Sequence, residues 1–153
     1  MRKPSLAHPP RFAVSDREGA RVTLAADTGA LAHIFVLEED MIRVLLLPTG
    51  ALTSAPSWAI APGQADIAEP GRDRMSVEGF AAPAFTLHET DSHITIATAR
   101  LKVEIAREGF VCRWSQQADG AWQMIAQDRP TQAYNFGWWD DATYHYVARQ
   151  TGE

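Results

Sequence analysis

The sequence predicts an all-β, antiparallel sandwich with little or no helix. Apolar and polar residues alternate with period two in one run after another, which suits half-buried strands. Turn residues punctuate the chain at roughly 8–12-residue intervals, giving about ten short strands. No ten-residue stretch carries helical periodicity. The 153 residues, 46% of them hydrophobic, suit one domain able to bury roughly 70% of its unfolded surface without a disulfide or metal staple.

The elements follow in order. Residues 1–10 hold Pro4, Pro9 and Pro10 and read as a flexible N-terminal arm, with a single sandwich domain over 11–153. Phe12 and Val14 begin the alternation, and Val22 and Leu24 continue it. Asp27-Thr-Gly29 supplies turn chemistry, because glycine accepts positive φ and aspartate bonds nearby backbone. Leu31 to Leu37 and Met41 to Leu47 read as two strands joined by the charged connector Glu38-Glu-Asp40. The unbroken apolar run Val44 to Leu47 predicts burial on both faces.

Between Pro48 and Pro83 the pattern changes. Prolines at 48, 56, 62, 70 and 83 and glycines at 50, 63, 71 and 79 remove ladder donors and favour bends, so this stretch reads as irregular connection with one short strand near Trp58-Ala-Ile60. Regularity returns at Phe85 and Leu87, which lead to the turn Thr90-Asp-Ser92. Ile94 and Ile96, then Leu101, Val103 and Ile105, alternate with Thr95, Lys102 and Glu104: one apolar face and one wet face. Glu108-Gly109 and Ala118-Asp-Gly120 mark later turns, the second being a strong hairpin signal. Trp114 and Trp122 flank that hairpin and are expected to pair across it.

Composition excludes several functions. The net charge is −5 with both signs interspersed, so there is no basic footprint for nucleic acid. The longest apolar run is too short to span a membrane. Pro4, His8, Pro9 and Pro10 occupy the place of an apolar signal core, which points to a cytoplasmic location. Cys112 is the only cysteine and reads as a small buried hydrophobe; no internal disulfide or zinc finger can form.

Catalytic and metal sites are weakly signalled. None of His8, His33, His88, His93 and His145 shows a metal-type spacing; His88 and His93 lie five apart across a turn. No nucleophile elbow or phosphate loop occurs. Glu69, Asp73, Glu78, Asp128, Asp140 and Asp141 read as solvated loop charges. Adjacent Asp140 and Asp141 on a strand would point to opposite faces, whereas a glycosidase needs two carboxyl groups flanking one bond. Tyr134, Phe136, Trp138, Trp139, Tyr144 and Tyr146 form the densest aromatic set. With Asp140, Trp138 and Trp139 are the candidate sugar-contacting residues, and docking against a neighbouring domain is the competing use of the same surface. No catalytic residue, cofactor or metal ligand is assigned.

Several phrases, taken in order, resemble one enzyme family. They are Ser57-Trp-Ala-Ile-Ala-Pro-Gly63, Glu69-Pro-Gly-Arg-Asp-Arg-Met75, Ile94-Thr-Ile-Ala-Thr-Ala-Arg-Leu-Lys-Val-Glu-Ile105, Asp128-Arg-Pro-Thr-Gln-Ala-Tyr134, and the ending from Tyr144-His-Tyr146 to Gly152-Glu153. Together they span about residues 20 to 153 and resemble the N-terminal domain of glycoside hydrolase family 31, the α-glucosidase family. The resemblance implies a galactose-mutarotase-like sandwich preceding a (β/α)₈ barrel. Retaining hydrolysis of α-glycosidic bonds would occur on that barrel, through two aspartates absent from these 153 residues. It further implies that this piece alone is inactive and has the barrel as its partner. A carbohydrate-binding module and a stand-alone sugar mutarotase are the alternatives.

Overall fold

The computed structural model describes residues 9–52 and 71–129 in full, and the backbone of residues 137–139, 142–144 and 149–151. Among these there are twelve strands and no helix: β1 Phe12–Glu18, β2 Arg21–Ala26, β3 Leu31–Glu38, β4 Met41–Leu47, β5 Thr86–Glu89, β6 His93–Ala97, β7 Leu101–Ala106, β8 Cys112–Ala118, β9 Ala121–Asp128, β10 Gly137–Trp139, β11 Ala142–Tyr144 and β12 Arg149–Thr151. They form a four-stranded sheet β1-β2-β3-β4, a six-stranded sheet β12-β9-β8-β7-β6-β5 and a two-stranded ribbon β10-β11. Every pairing is antiparallel. The predicted sandwich is therefore the observed architecture.

Alternation builds the core. Val22 and Leu24 from β2, with Ala32, Ile34 and Val36 from β3, face Ile94 and Ile96 from β6, Val103 and Ile105 from β7, and Cys112 from β8. Each is fully or almost fully removed from water, worth roughly 1.5–3 kcal/mol for a side chain of valine or isoleucine size. Cys112 is the small buried hydrophobe that its strand context implies.

Turns fix the registers. Asp119 and Gly120 adopt φ of 50° and 78°, the mirror-image turn that a two-residue hairpin needs. That turn sets Ala118 opposite Ala121 and Gln117 opposite Trp122. Trp114 therefore meets Ala126 instead of Trp122, and the expected tryptophan pair does not form. Trp114 packs against the core, whereas Trp122 lies on the other face. A register shift between Trp114 and Ser115 leaves Ile125 as an extra, bulged residue. Phe110 holds a φ of 57°, costly for a residue with a Cβ. Its ring is buried 4.9 Å from that of Phe12, and this packing holds the conformation in place.

The two sheets are tied at their ends. Around the β3–β4 hairpin, Thr98 Oγ1 donates to the Glu39 carbonyl at 2.5 Å, Ala99 N donates to Glu39 Oε2 at 3.0 Å, and Arg100 pairs with Asp40 at 3.4 Å. The charged connector is thus a clamp onto the β6–β7 turn. At the opposite corner Arg107 donates to Glu89 Oε2 at 2.7 Å, the Thr90 carbonyl at 2.8 Å and the Phe12 carbonyl at 3.2 Å.

Two further expectations need correction. Val44, Leu45 and Leu46 are only half-buried, because β4 is an edge of its sheet. The strand covered on both faces is β3, where Ile34, Phe35, Val36 and Leu37 are all at 0% exposure. Asp128 is no solvated loop charge: it ends β9, is fully buried, and accepts the Cys112 N–H at 3.0 Å through Oδ2. The short strand expected near Trp58 lies outside the described residues, as do His8, Glu69, Asp140, Asp141 and His145.

Candidate functional site

The outer face of the six-stranded sheet carries an open depression lined by polar side chains. The same alternation that sends Val103 and Ile105 inward turns Lys102, Glu104 and Ala106 outward. Register places Glu104 beside Arg113 and Thr95, and Arg113 beside Gln127. His93, Glu104, Ala106, Val111, Arg113 and Gln127 line an open depression of about 300 Å³. Arg113 Nε donates to Gln127 Oε1 at 3.3 Å, Lys102 Nζ lies 3.2 Å from Glu104 Oε2, and His93 Nδ1 lies 2.9 Å from Ser92 Oγ. Donors and acceptors are mixed over an apolar floor, which suits a neutral, hydroxyl-rich ligand better than an anion.

Next to this polar surface, Trp122 and Met124 project from β9 on the same outer face. The Lys102 ammonium sits 5.3 Å from the Trp122 ring centroid. Trp122, Met124 and Ile125 remain 39%, 51% and 41% exposed, a concentration of three bare apolar side chains within four positions.

The outer face of the four-stranded sheet is different. Arg21, Phe35 and Arg43 form one cross-strand row, and the Arg43 guanidinium stacks 4.2 Å over the Phe35 ring. Residues 71–82 cover the row: Arg43 Nη2 donates to the Ser76 carbonyl at 3.3 Å, Ala82 N to the Leu37 carbonyl at 2.9 Å, and Arg72 stacks 4.8 Å over Phe80. Burial, then the Arg72 charge, lowers Arg43 from its ordinary pKa. Burial, then Arg21, lowers His33, whose Nδ1 lies 3.1 Å from Thr23 Oγ1. These groups are engaged in packing.

Among the described residues no three His, Cys, Asp or Glu side chains form a metal-binding group. His88 sits opposite Thr95, and His93 opposite Ala106; their register does not pair them with each other. The backbones of Trp138 and Trp139 belong to β10, opposite Thr143 and Ala142, and their side chains lie outside the described residues. Sequence reasoning passed over Arg113 and Gln127, and read Trp122 only as a cross-hairpin partner of Trp114. The period-two pattern of β7 already marked Lys102 and Glu104 as outward-facing. Nothing local marks Gln127 as their neighbour, since it reaches them through pairing two strands away.

The strands define an antiparallel β-sandwich, and comparison with known proteins gives the family. Residues 31–153 match the glycosyl hydrolase 31 N-terminal galactose mutarotase-like domain, and the chain belongs to that family. Comparison with curated proteins gives no match. Among solved structures, the cycloalternan-forming enzyme of Listeria monocytogenes, in complex with a pentasaccharide substrate, superimposes with a TM-score of 0.54 at 18% identity, over 84% of this chain and 10% of that enzyme. A GH31 dextranase of Flavobacterium johnsoniae, complexed with isomaltotriose, superimposes with a TM-score of 0.57 at 10% identity, over 87% of this chain and 14% of the dextranase. These likenesses establish the shared fold. The chain thus spans a small fraction of the enzymes it resembles. No helix among the described residues is long and apolar enough to cross a membrane.

Proposed function

We propose that this chain is the non-catalytic N-terminal domain of a retaining α-glycosidase of α-glucosidase type, folded as a support for a (β/α)₈ catalytic barrel. The observation that carries the reading is the family match over residues 31–153, set beside a fold that makes up only 10% and 14% of the enzymes sharing it. Chemistry agrees. Retaining hydrolysis needs two carboxyl groups about 5 Å apart, and Glu104 is the only carboxylate lining the described depression. A cytoplasmic location fits a single, buried cysteine. The test is turnover of an aryl α-glucoside by the 153-residue chain and by a longer protein containing it. The expected outcome is no turnover by the first, and product of retained anomeric configuration from the second; turnover by the short chain overturns the reading.

A second reading, carbohydrate binding, is favoured by the depression itself, where Arg113, Glu104, Gln127 and His93 offer donors and acceptors to sugar hydroxyls. Titration calorimetry of the chain with malto-oligosaccharides checks it. Heat that disappears in Arg113→Ala supports the reading, and absence of heat from the unaltered chain removes it.

A further inference from the structure

We propose that the depression on the outer face of the six-stranded sheet takes a single neutral pyranose unit, gripped through two adjacent ring hydroxyls by Glu104 and Arg113. The inference rests on the carbohydrate-binding reading of that depression. It adds the ligand class, the atoms that hold the ligand and the two residues that set specificity.

The observation that carries it is an ion pair that the register offers and the side chains do not make. Glu104 on β7 lies directly opposite Arg113 on β8, and residues so placed have Cβ atoms about 4.5–5.5 Å apart. Opposite charges at that spacing are well placed to pair. Here the carboxylate turns to Lys102 instead, whose Nζ is 3.2 Å from Oε2. The guanidinium turns to Gln127, donating from Nε to Oε1 at 3.3 Å. Each group is steadied by a neighbour and keeps hydrogen-bonding capacity, Glu104 through its second oxygen and Arg113 through its terminal amino groups. An acceptor and a planar, two-pronged donor therefore stand side by side in the lining of the depression.

That combination selects the ligand. The guanidinium fork that matches the two oxygens of a carboxylate also matches the oxygens of neighbouring hydroxyls on a sugar ring. A hydroxyl, unlike a carboxylate, brings a proton as well, and Glu104 accepts it. An anion seated on Arg113 would bring its charge beside the Glu104 carboxylate, and juxtaposed like charges oppose binding. Ala106 and Val111 give the lining an apolar part, against which the C–H face of the ring rests. The volume of about 300 Å³ is at the small end of ligand sites and suits one ring better than a chain.

Altering the sugar tests this without altering the protein. The isotope-labelled 153-residue chain is titrated with methyl α-glucoside and with each of its monodeoxy analogues, and the amide signals of Glu104, Arg113 and Gln127 report binding. Saturable shifts at these residues are expected. Two analogues altered at neighbouring carbons are expected to bind at least about tenfold more weakly, the loss of a hydrogen bond to a charged group, while the others bind like the parent. Glu104→Gln and Arg113→Gln are each expected to weaken the parent glucoside at least about tenfold for the same reason. Sensitivity at one carbon only, or at two carbons that are not neighbours, overturns the proposal. So does tighter binding of methyl glucuronide, which would make this an anion site centred on Arg113. Failure is distinguishable from failure of the broader reading. Malto-oligosaccharides that bind where the glucoside does not refute the single-ring grip alone, and a depression whose signals no sugar shifts refutes both.

Discussion

Strands β3 and β9 occupy similar positions in their sheets and opposite positions in the molecule. Each has a hydrogen-bonded neighbour on both sides. At β3, Ile34 and Val36 meet the opposing sheet, Phe35 and Leu37 are covered on the reverse face, and all four are at 0% exposure. At β9 only Asp128 is buried, while Trp122, Met124 and Ile125 are open to water. Both segments are apolar. The difference teaches that burial is set by what lies above and below a sheet. Residues 71–82 lie over the outer face of the four-stranded sheet, and among the described residues no such layer lies over Trp122 and Met124 on the outer face of the six-stranded sheet.

The comparison is broken most severely at its buried pole. Phe35→Ala is expected to lower stability by about 3–5 kcal/mol, since it opens a cavity and removes the ring that supports Arg43. Urea denaturation followed by tryptophan fluorescence reads the effect; a loss below 1 kcal/mol would show that residues 71–82 do not cover this face. Asp128→Ala, at the one buried point of β9, is expected to lose about 1–3 kcal/mol, because the Cys112 N–H keeps its burial and loses an acceptor.

A pH experiment sharpens the β3 side. His33 has its pKa lowered by burial and by Arg21, so the unfolded chain binds the proton more readily than the folded one. Stability is then complete above the ordinary histidine value of about 6.5 and falls as pH drops through it. The urea midpoint is expected to fall between pH 7.5 and 5.5 by more in the native protein than in His33→Gln; equal falls would dissociate His33 from the effect. Smallest of all, Trp122→Ala in the 153-residue chain is expected to cost no more than about 0.5–1 kcal/mol, the worth of an exposed contact with Lys102. A loss near that of Phe35→Ala would mean that Trp122 is buried within the chain itself.

Much of this fold was legible because sandwich strands announce themselves by period two. Ile94 and Ile96, then Leu101, Val103 and Ile105, read correctly in their inward facing, and the Asp119-Gly120 turn was legible directly. The errors share one cause. Val44 to Leu47 looked doubly buried, Trp114 and Trp122 looked paired, and Asp128 looked solvated, because each judgement needed the identity of a partner strand. The depression was invisible for the same reason: His93, Glu104, Arg113 and Gln127 come from four strands and meet only through register.

The sequence by itself determined the strand periodicity, the turns and the inward set of aliphatic residues, since these depend on backbone sterics and local patterning. Tertiary structure alone decided which strand is sealed on both faces and which stays bare. Coverage depends on which face of each strand meets the opposing sheet and on the path of residues 71–82 over the other, and a one-dimensional pattern encodes neither.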